Sequence, residues 1–339
     1  MGVGPAWRSK VRAADQDIVD EARRVGEQLL ASLEEGRRLT RDWQDDRLAR
    51  AWVDAAMSDC LRALADLGVW GRENEVASDA LWQVAGEQLG RGRLQLRARE
   101  KPLGYAGDYQ MLAWICERAV CEDSLGRFFD LYFLDQAAPQ CVRNRTRLIA
   151  AELACHGLRC PRRPYRILSV GVGPGLDIAK AVATLPPARR KDVEIALVDL
   201  DEAGLAYAQQ QLRRLIADEQ ITCLRDNVFR LPQRSDVLPW PDDTDFVVCS
   251  GLFDYLDDEA ATNMLATFRD QLREGGRLLV GNFAPHCPTR AYMEWIGKWY
   301  LRYRTVADLE RLAESACLPA RWRVGADATG VNLLLEFSA

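Results

Sequence analysis

Tyr165-Arg-Ile-Leu-Ser169-Val-Gly171-Val-Gly173-Pro-Gly175-Leu-Asp177 is the stretch that sets the fold. Arg166 to Val170 reads as a short buried strand, three alternating glycines follow, and an amphipathic helix is expected from about Leu176. Glycine suits this junction because the backbone must turn tightly and let a ligand approach with no Cβ in the way. A dinucleotide-binding G-x-G-x-x-G is incomplete in either register: the third glycine is Leu176 when counted from Gly171 and Ile178 when counted from Gly173. The phosphate-gripping G-x-x-x-x-G-K-[ST] is absent as well.

Downstream, short apolar runs alternate with helical stretches, the pattern of a parallel sheet covered by helices. Val193 to Val198, Ile221 to Leu224, Asp245 to Cys249 and Arg277 to Val280 are the next expected strands, the last after a Gly275-Gly276 turn. Helices are expected over Ala203 to Leu215 and Glu259 to Leu272, and Thr305-x-x-Asp308 has the form of a capping box. Trp322-Arg-Val and Val331 to Phe337 are spaced to pair as an antiparallel edge.

Upstream, the texture is helical to about residue 155. Ile18, Ala22, Val25, Leu29 and Leu33 recur at spacings of three and four, and further helices are expected over Arg41 to Leu67 and Ala77 to Leu89. The chain therefore divides into an all-helical domain, 1–155, and an α/β domain, 156–339.

Composition excludes several classes of function. The 339 residues carry 45 Lys plus Arg against 50 Asp plus Glu, a net charge of −5, so no basic footprint for nucleic acid is expected. No run approaches the ~18 consecutive apolar residues of a membrane span. The N-terminal MGVGPAWRSKVRAADQD has no apolar export core, so a cytoplasmic address is expected, with the ten cysteines as reduced thiols. Cys155, His156 and Cys160 lack a fourth ligand and the usual zinc spacing, and no metal is expected.

Chemistry-bearing residues gather where the strands end. Asp199 and Asp201 close the second strand, in a position to accept hydrogen bonds from the hydroxyls of a ribose, and Asp226-Asn227 follow the third. After the fourth strand come Ser250-Gly-Leu-Phe253-Asp254-Tyr255. Asp254 either accepts a proton or caps the following helix. His286 follows the fifth strand as a base or as a polar wall.

These features resemble the Rossmann-like (class I) S-adenosylmethionine-dependent methyltransferases over residues 165–339. The resemblance implies that Gly171, Gly173 and Gly175 wrap the methionine part, that Asp199 holds the ribose, and that Asp226 with Asn227 meets the adenine end. Leu200 and Ser250 complete the implied cofactor set. One departure is Ser169, where family members often carry an acid, which leaves the amino group to other atoms.

A narrower resemblance rests on Arg99-Glu-Lys-Pro-Leu-Gly-Tyr105-Ala-Gly-Asp108-Tyr109-Gln-Met111, Ser250 to Leu256, Asn282-Phe-Ala-Pro and Trp299-Tyr-Leu-Arg-Tyr-Arg304-Thr305. These are similar to a bacterial subfamily assigned to 3-hydroxy fatty acid methyl ester biosynthesis, which also has a helical N-terminal region. The implied architecture is a mostly parallel, seven-stranded methyltransferase sheet behind an all-helical domain that covers the substrate. Tyr105, Asp108, Tyr109, Phe253 and Tyr255 are then expected near a small-molecule acceptor, Tyr105 also in a catalytic role, with aromatic faces attracting the sulfonium and excluding water. The alternative for Tyr105 and Tyr109 is an interdomain turn with buried rings. Arg290 and Arg304 either pair a substrate carboxylate or are solvated. The expected activity is in-line methyl transfer to an O or S nucleophile, with carboxylate ahead of thiol. The other readings are an idle cofactor-binding interaction protein and, further off, a nicotinamide enzyme.

Overall fold

A computed structural model describes residues 13–319 and 321–339. The start of the chain, on which the expectation about export rests, lies largely outside the described residues. The helices are α1 (Ala13–Leu39), α2 (Asp46–Asp66), α3 (Glu75–Leu89), α4 (Arg93–Glu100), α5 (Tyr109–Glu117), α6 (Gly126–Leu134), α7 (Ala137–Arg159), α8 (Leu176–Thr184), α9 (Pro187–Arg190), α10 (Glu202–Leu212), α11 (Asp258–Gln271) and α12 (Val306–Ser315). The strands are β1 (Tyr165–Val170), β2 (Val193–Asp199), β3 (Ile221–Arg225), β4 (Thr244–Cys249), β5 (Leu272–Phe283), β6 (Trp322–Ala326) and β7 (Asn332–Ser338). No helix among the described residues is long and apolar enough to cross a membrane.

The chain forms two compact units, neither of them one continuous stretch. The first comprises residues up to Glu100, Val120–Phe133 and Arg290–Tyr300. The second comprises Lys101–Ala119, Leu134–Thr289 and Leu301–Ala339. Residues 101–119 and 134–155, read from sequence as part of the helical domain, thus group with the sheet.

In the helical unit, Ala22, Val25, Leu29 and Leu33 form the buried stripe of α1 that the periodicity anticipated. The second helix starts later than expected. Arg41, Asp42 and Trp43 have φ of 53°, 58° and 65°, a left-handed turn that lets Trp43 bury while Asp45 caps α2 by accepting the Leu48 N–H at 3.0 Å. Arg290–Tyr300, which follows β5 in sequence, belongs here because its polar groups bond helical residues. Glu294 accepts the Gly71 N–H at 2.6 Å, Ser78 donates to the Trp295 carbonyl at 2.7 Å, and Tyr292 donates to Gln95 at 2.7 Å.

The sheet unit has strand order β3-β2-β1-β4-β5-β7-β6, with β1 to β5 parallel and β7 antiparallel to both β5 and β6. The apolar runs predicted strands bounded within a residue or two, apart from β5. That strand begins at Leu272 because Gly275, at φ 76°, and Gly276 form an irregularity within it rather than a turn before it. A Cβ on Gly276 would meet the Thr244 carbonyl oxygen at 3.0 Å. Alternate residues bury both faces. Leu168, Val170, Val198 and Val247 pack with Met264, Phe268 and Leu309 on one side. Ile167, Ile195, Leu197 and Val248 pack with Ile149, Leu153, Ile178 and Leu205 on the other.

Strand order reverses between β1 and β4, which opens a crevice at their carboxyl ends. The glycine turn sits there, and Gly175 is fixed twice: its φ is 61°, and an added Cβ would lie 2.7 Å from the Ala208 Cβ on α10. Gly104 is a fair control, with φ 88° and open space around it. Gly175→Ala is expected to lower unfolding free energy by about 2–4 kcal/mol, from left-handed strain plus overpacking, against about 1 kcal/mol for Gly104→Ala. Chemical denaturation of the two variants checks the difference, and equal losses would mean that α10 yields to the added methyl.

Candidate active site

Asp199 organises the crevice. Its Oδ2 accepts the Gly173 N–H and its Oδ1 the Asp201 N–H, each at 3.0 Å, so one carboxylate ties the end of β2 to the glycine turn. Burial, and next to it the neighbouring Asp201 charge, push the Asp199 carboxyl up, while the backbone N–H groups oppose them. Each oxygen keeps a second lone pair, enough for two vicinal sugar hydroxyls. Gly171, Gly173 and Gly175 all have positive φ, 63°, 52° and 61°, and Gly171 donates to the Val198 carbonyl at 2.9 Å.

Asp226 follows β3, donates its N–H to the Asp199 carbonyl at 3.1 Å and pairs with Arg234 at 3.0 Å. Asn227 caps the next turn by accepting the Phe229 N–H. Leu200 and Phe229 are left 52% and 49% exposed beside these groups, two apolar surfaces at the carboxyl edge. Phe229 is absent from the sequence reading, since nothing in its neighbourhood marks it as more than a turn residue. The combination of a half-buried carboxylate, a side-chain-free turn and two exposed apolar faces fits an adenosine bearing an amino-acid tail.

A strap crosses this edge. Residues 101–108 bend at Lys101, Gly104 and Gly107, with φ of 49°, 88° and 71°. Tyr105 donates to Asp201 Oδ2 at 3.3 Å, and Tyr255 donates to the Ala106 carbonyl at 3.1 Å. Since Asp201 follows β2 and Tyr255 follows β4, the strap spans the β1 position between them. Helix α5 continues the cover: a Cβ on Gly173 would lie 3.5 Å from Leu112, and one on Gly204 3.4 Å from the Tyr109 Cβ. The Tyr109 and Tyr207 ring centroids are 5.6 Å apart. Burial, then the charges of Asp199 and Asp201, hold the Tyr105 hydroxyl well above the usual phenol range, so it stays protonated and donates.

The remaining expected residues divide. Ser250 lies at the edge of β4, its carbonyl close against Gly281. Asp254 is 3% exposed, and its Oδ1 accepts the Phe283 N–H at 2.7 Å and the Asn282 amide at 3.1 Å. Burial pushes its carboxyl up to about 7, against the opposing pull of Arg145. His286 is exposed, with Nε2 3.5 Å from where a Gly330 Cβ would sit.

Several expectations are corrected. Phe253 is fully buried and packs toward Phe268 instead of facing a ligand. Asp108 is buried as the cap of α5, accepting the Met111 N–H at 2.9 Å. Arg304 lies outside any helix, 3% exposed, and its guanidinium is spent on the Phe253 and Leu256 carbonyls, Asn282 and Asp258. Arg290 falls in the helical unit, paired with Glu294 at 2.8 Å over the Trp70 ring.

The fold is a Rossmann-like domain with a crevice at the carboxyl ends of β1 and β4. Residues 167–276 match the family described as methyltransferase domain. No curated protein matches. Among solved structures, the chain is similar to a Bordetella parapertussis protein described as a possible exported protein, at 15% identity and a TM-score of 0.57, covering 98% of this chain and 99% of that one. It is also similar to the CurJ carbon methyltransferase, at 12% identity and a TM-score of 0.51, covering 97% and 93%. A magnesium protoporphyrin IX methyltransferase from Synechocystis PCC 6803 with bound S-adenosylhomocysteine matches at 17% identity and a TM-score of 0.44, covering 60% and 87%. Residues 167–276 thus carry a methyltransferase domain, set on a Rossmann-like sheet.

Asp254 gives a pH signature. Its folded carboxyl binds a proton more tightly than an ordinary unfolded one, so the stability it contributes is complete below about pH 4 and is lost as pH rises through about 7. Asp254→Asn keeps a carbonyl for the Phe283 N–H and has no such titration. The stability of wild type relative to this variant, from denaturation at pH 5 and pH 8, is expected to fall with pH. A constant difference would show that the carboxyl does not titrate in that window.

Proposed function

We propose that the enzyme transfers methyl to an oxygen of a small-molecule carboxylate at the carboxyl edge of β1, β2 and β4. The observation that carries this reading is the Asp199 carboxylate, half-buried, bound to the Gly173 N–H and adjacent to the strap. Bound S-adenosylmethionine supplies an electrophilic sulfonium methyl. On this reading Asp199 accepts the ribose hydroxyls, Leu200 and Phe229 flank the adenine with Asp226 and Asn227 at its edge, and Gly171 to Gly175 with Ser250 line the methionine part. Tyr105 and Tyr109 shed water from the reacting atoms, where proximity and alignment supply most of the rate.

A carboxylate acceptor arrives charged and needs no base, which agrees with an Asp254 committed to the end of β5 and a His286 exposed beside Gly330. The resemblance to the 3-hydroxy fatty acid methyl ester subfamily favours the same acceptor class. A net charge of −5 favours a small molecule over nucleic acid, and ten single thiols fit a reducing, cytoplasmic setting. A thiol acceptor is the second reading, favoured by Asp254 itself, since a carboxyl at about 7 can take a proton near neutral pH.

Incubation with S-adenosylmethionine and a panel of acids, thiols, phenols and amines, with S-adenosylhomocysteine release and product mass as readouts, separates these. Methyl esters are expected, and thioethers alone would move the assignment to the second reading. Asp199→Ala is expected to weaken S-adenosylhomocysteine binding by about 1–3 kcal/mol, through hydrogen bonds lost from a charged group. Calorimetry that shows unchanged affinity would remove Asp199 from the sugar. Tyr105→Phe is expected to lower turnover while the fold persists, and a wild-type rate would leave the strap without a part in transfer.

A further inference from the structure

Arg145 of α7 is a buried cation that the fold alone does not account for. It is 5% exposed, and its Nη1 donates to Asn332 Oδ1 at 3.2 Å. Among the described residues, no carboxylate forms a salt bridge with it. Asn332 is itself held, donating its N–H to Asp327 and its amide to the Leu333 carbonyl, so the guanidinium is positioned by a fixed partner. Asn144, next to Arg145 on α7, donates to the same Asp327 at 2.9 Å.

The guanidinium stands at the carboxyl edge of β4 and β5. A Cβ on Gly251, two residues beyond β4, would lie 3.5 Å from Nη2, and one on Gly281 would lie 3.4 Å from Cδ. The loop after β4 and the end of β5 therefore pack directly against the Arg145 side chain. The carboxylates whose charge it feels are Asp254 and Asp177, the latter in the first turn of α8 after the glycine turn. Neither neutralises it directly. Asp254 spends Oδ1 on Asn282 and Phe283, and Asp177 bonds the Ile178 N–H. A buried cation without a close anion is destabilising, and a bound carboxylate, ideally bidentate, offsets that cost.

We propose that Arg145 is the seat of a ligand carboxylate in this crevice. The inference rests on the reading that S-adenosylmethionine and a carboxylate acceptor meet here, and either molecule can supply the group: the α-carboxylate of the cofactor tail or the carboxylate of the acceptor. Asn332 holds the guanidinium at the carboxyl edge of β4 and β5.

Calorimetry on the full chain separates the sources. The probes are S-adenosylhomocysteine, 5′-methylthioadenosine, which keeps the nucleoside thioether and lacks the amino-acid tail, and octanoate against octanamide with S-adenosylhomocysteine present. The variants are Arg145→Met and the milder Arg145→Lys. If the cofactor tail is seated there, Arg145→Met loses at least tenfold in S-adenosylhomocysteine affinity and keeps 5′-methylthioadenosine affinity, with Arg145→Lys intermediate. If the acceptor is seated there, S-adenosylhomocysteine binding persists and octanoate loses its advantage over octanamide. Nucleoside and octanoate isotherms that match wild type in both variants overturn the inference. So does an equal loss for 5′-methylthioadenosine and S-adenosylhomocysteine in Arg145→Lys. Wild-type protein that binds neither nucleoside would instead sink the proposed function.

Discussion

The carboxylate of Asp199 is the joint on which the site depends. It converts two loops, one after β1 and one after β2, into a single surface by accepting one backbone N–H from each. A charge-assisted hydrogen bond is roughly twice as strong as a neutral one, and burial removes competing water. The glycine turn can then hold three residues at positive φ without drifting. Close contact between Gly175 and α10 locks the far end of the same turn. Without the carboxylate, the Gly173 N–H would lose its partner, and the left-handed turn would rest on the Gly171 and Gly175 backbone bonds and on packing.

The cover over this joint is fastened differently. The strap is anchored by one tyrosine hydroxyl at each side, Tyr105 to Asp201 and Tyr255 to Ala106, both above 3 Å and both on rings more than a third exposed. Such bonds contribute about 1 kcal/mol each, small against the burial that holds β1 or β4. On the proposed reading, a firmly built floor under a weakly fastened cover suits a site that must admit and release a nucleoside and still exclude water during transfer.

Most of the sheet was legible because its signal is local. Buried parallel strands are continuous apolar runs, the glycines and Asp199 lie within 30 residues of each other, and Thr305 with Asp308 does form a capping box. What escaped the sequence reading depends on distant partners. Arg290–Tyr300 joins the helical unit through Gly71, Ser78 and Gln95, about 200 residues upstream, and no periodicity in the segment encodes that. Phe253 and Arg304 looked available because their neighbours in sequence are polar or at a strand end, yet one fills the core and the other clamps three carbonyl or amide oxygens. Arg145 was invisible for the converse reason: in sequence it is one arginine among several on a helix, and only the turn of α7 over Gly251 and Gly281 makes it singular.

The placement of charge bears on how transfer can be favoured. A sulfonium loses its positive charge as the methyl leaves, so carboxylates close to the sulfur would hold the reactant more firmly than the transition state and slow the step. Asp199, Asp201 and Asp226 stand instead at the ends of β2 and β3, on the far side of β1 from β4. They can grip a sugar and base, whose charge does not change. At the β4 edge Asp254 is pushed toward its neutral form by burial and turned toward the end of β5. Negative charge is thus concentrated at the ends of β2 and β3, away from the β4 edge, where Arg145 stands. On the proposed reading, donor binding is built up at the sugar and base, with no carboxylate deepening the ground state at the sulfonium.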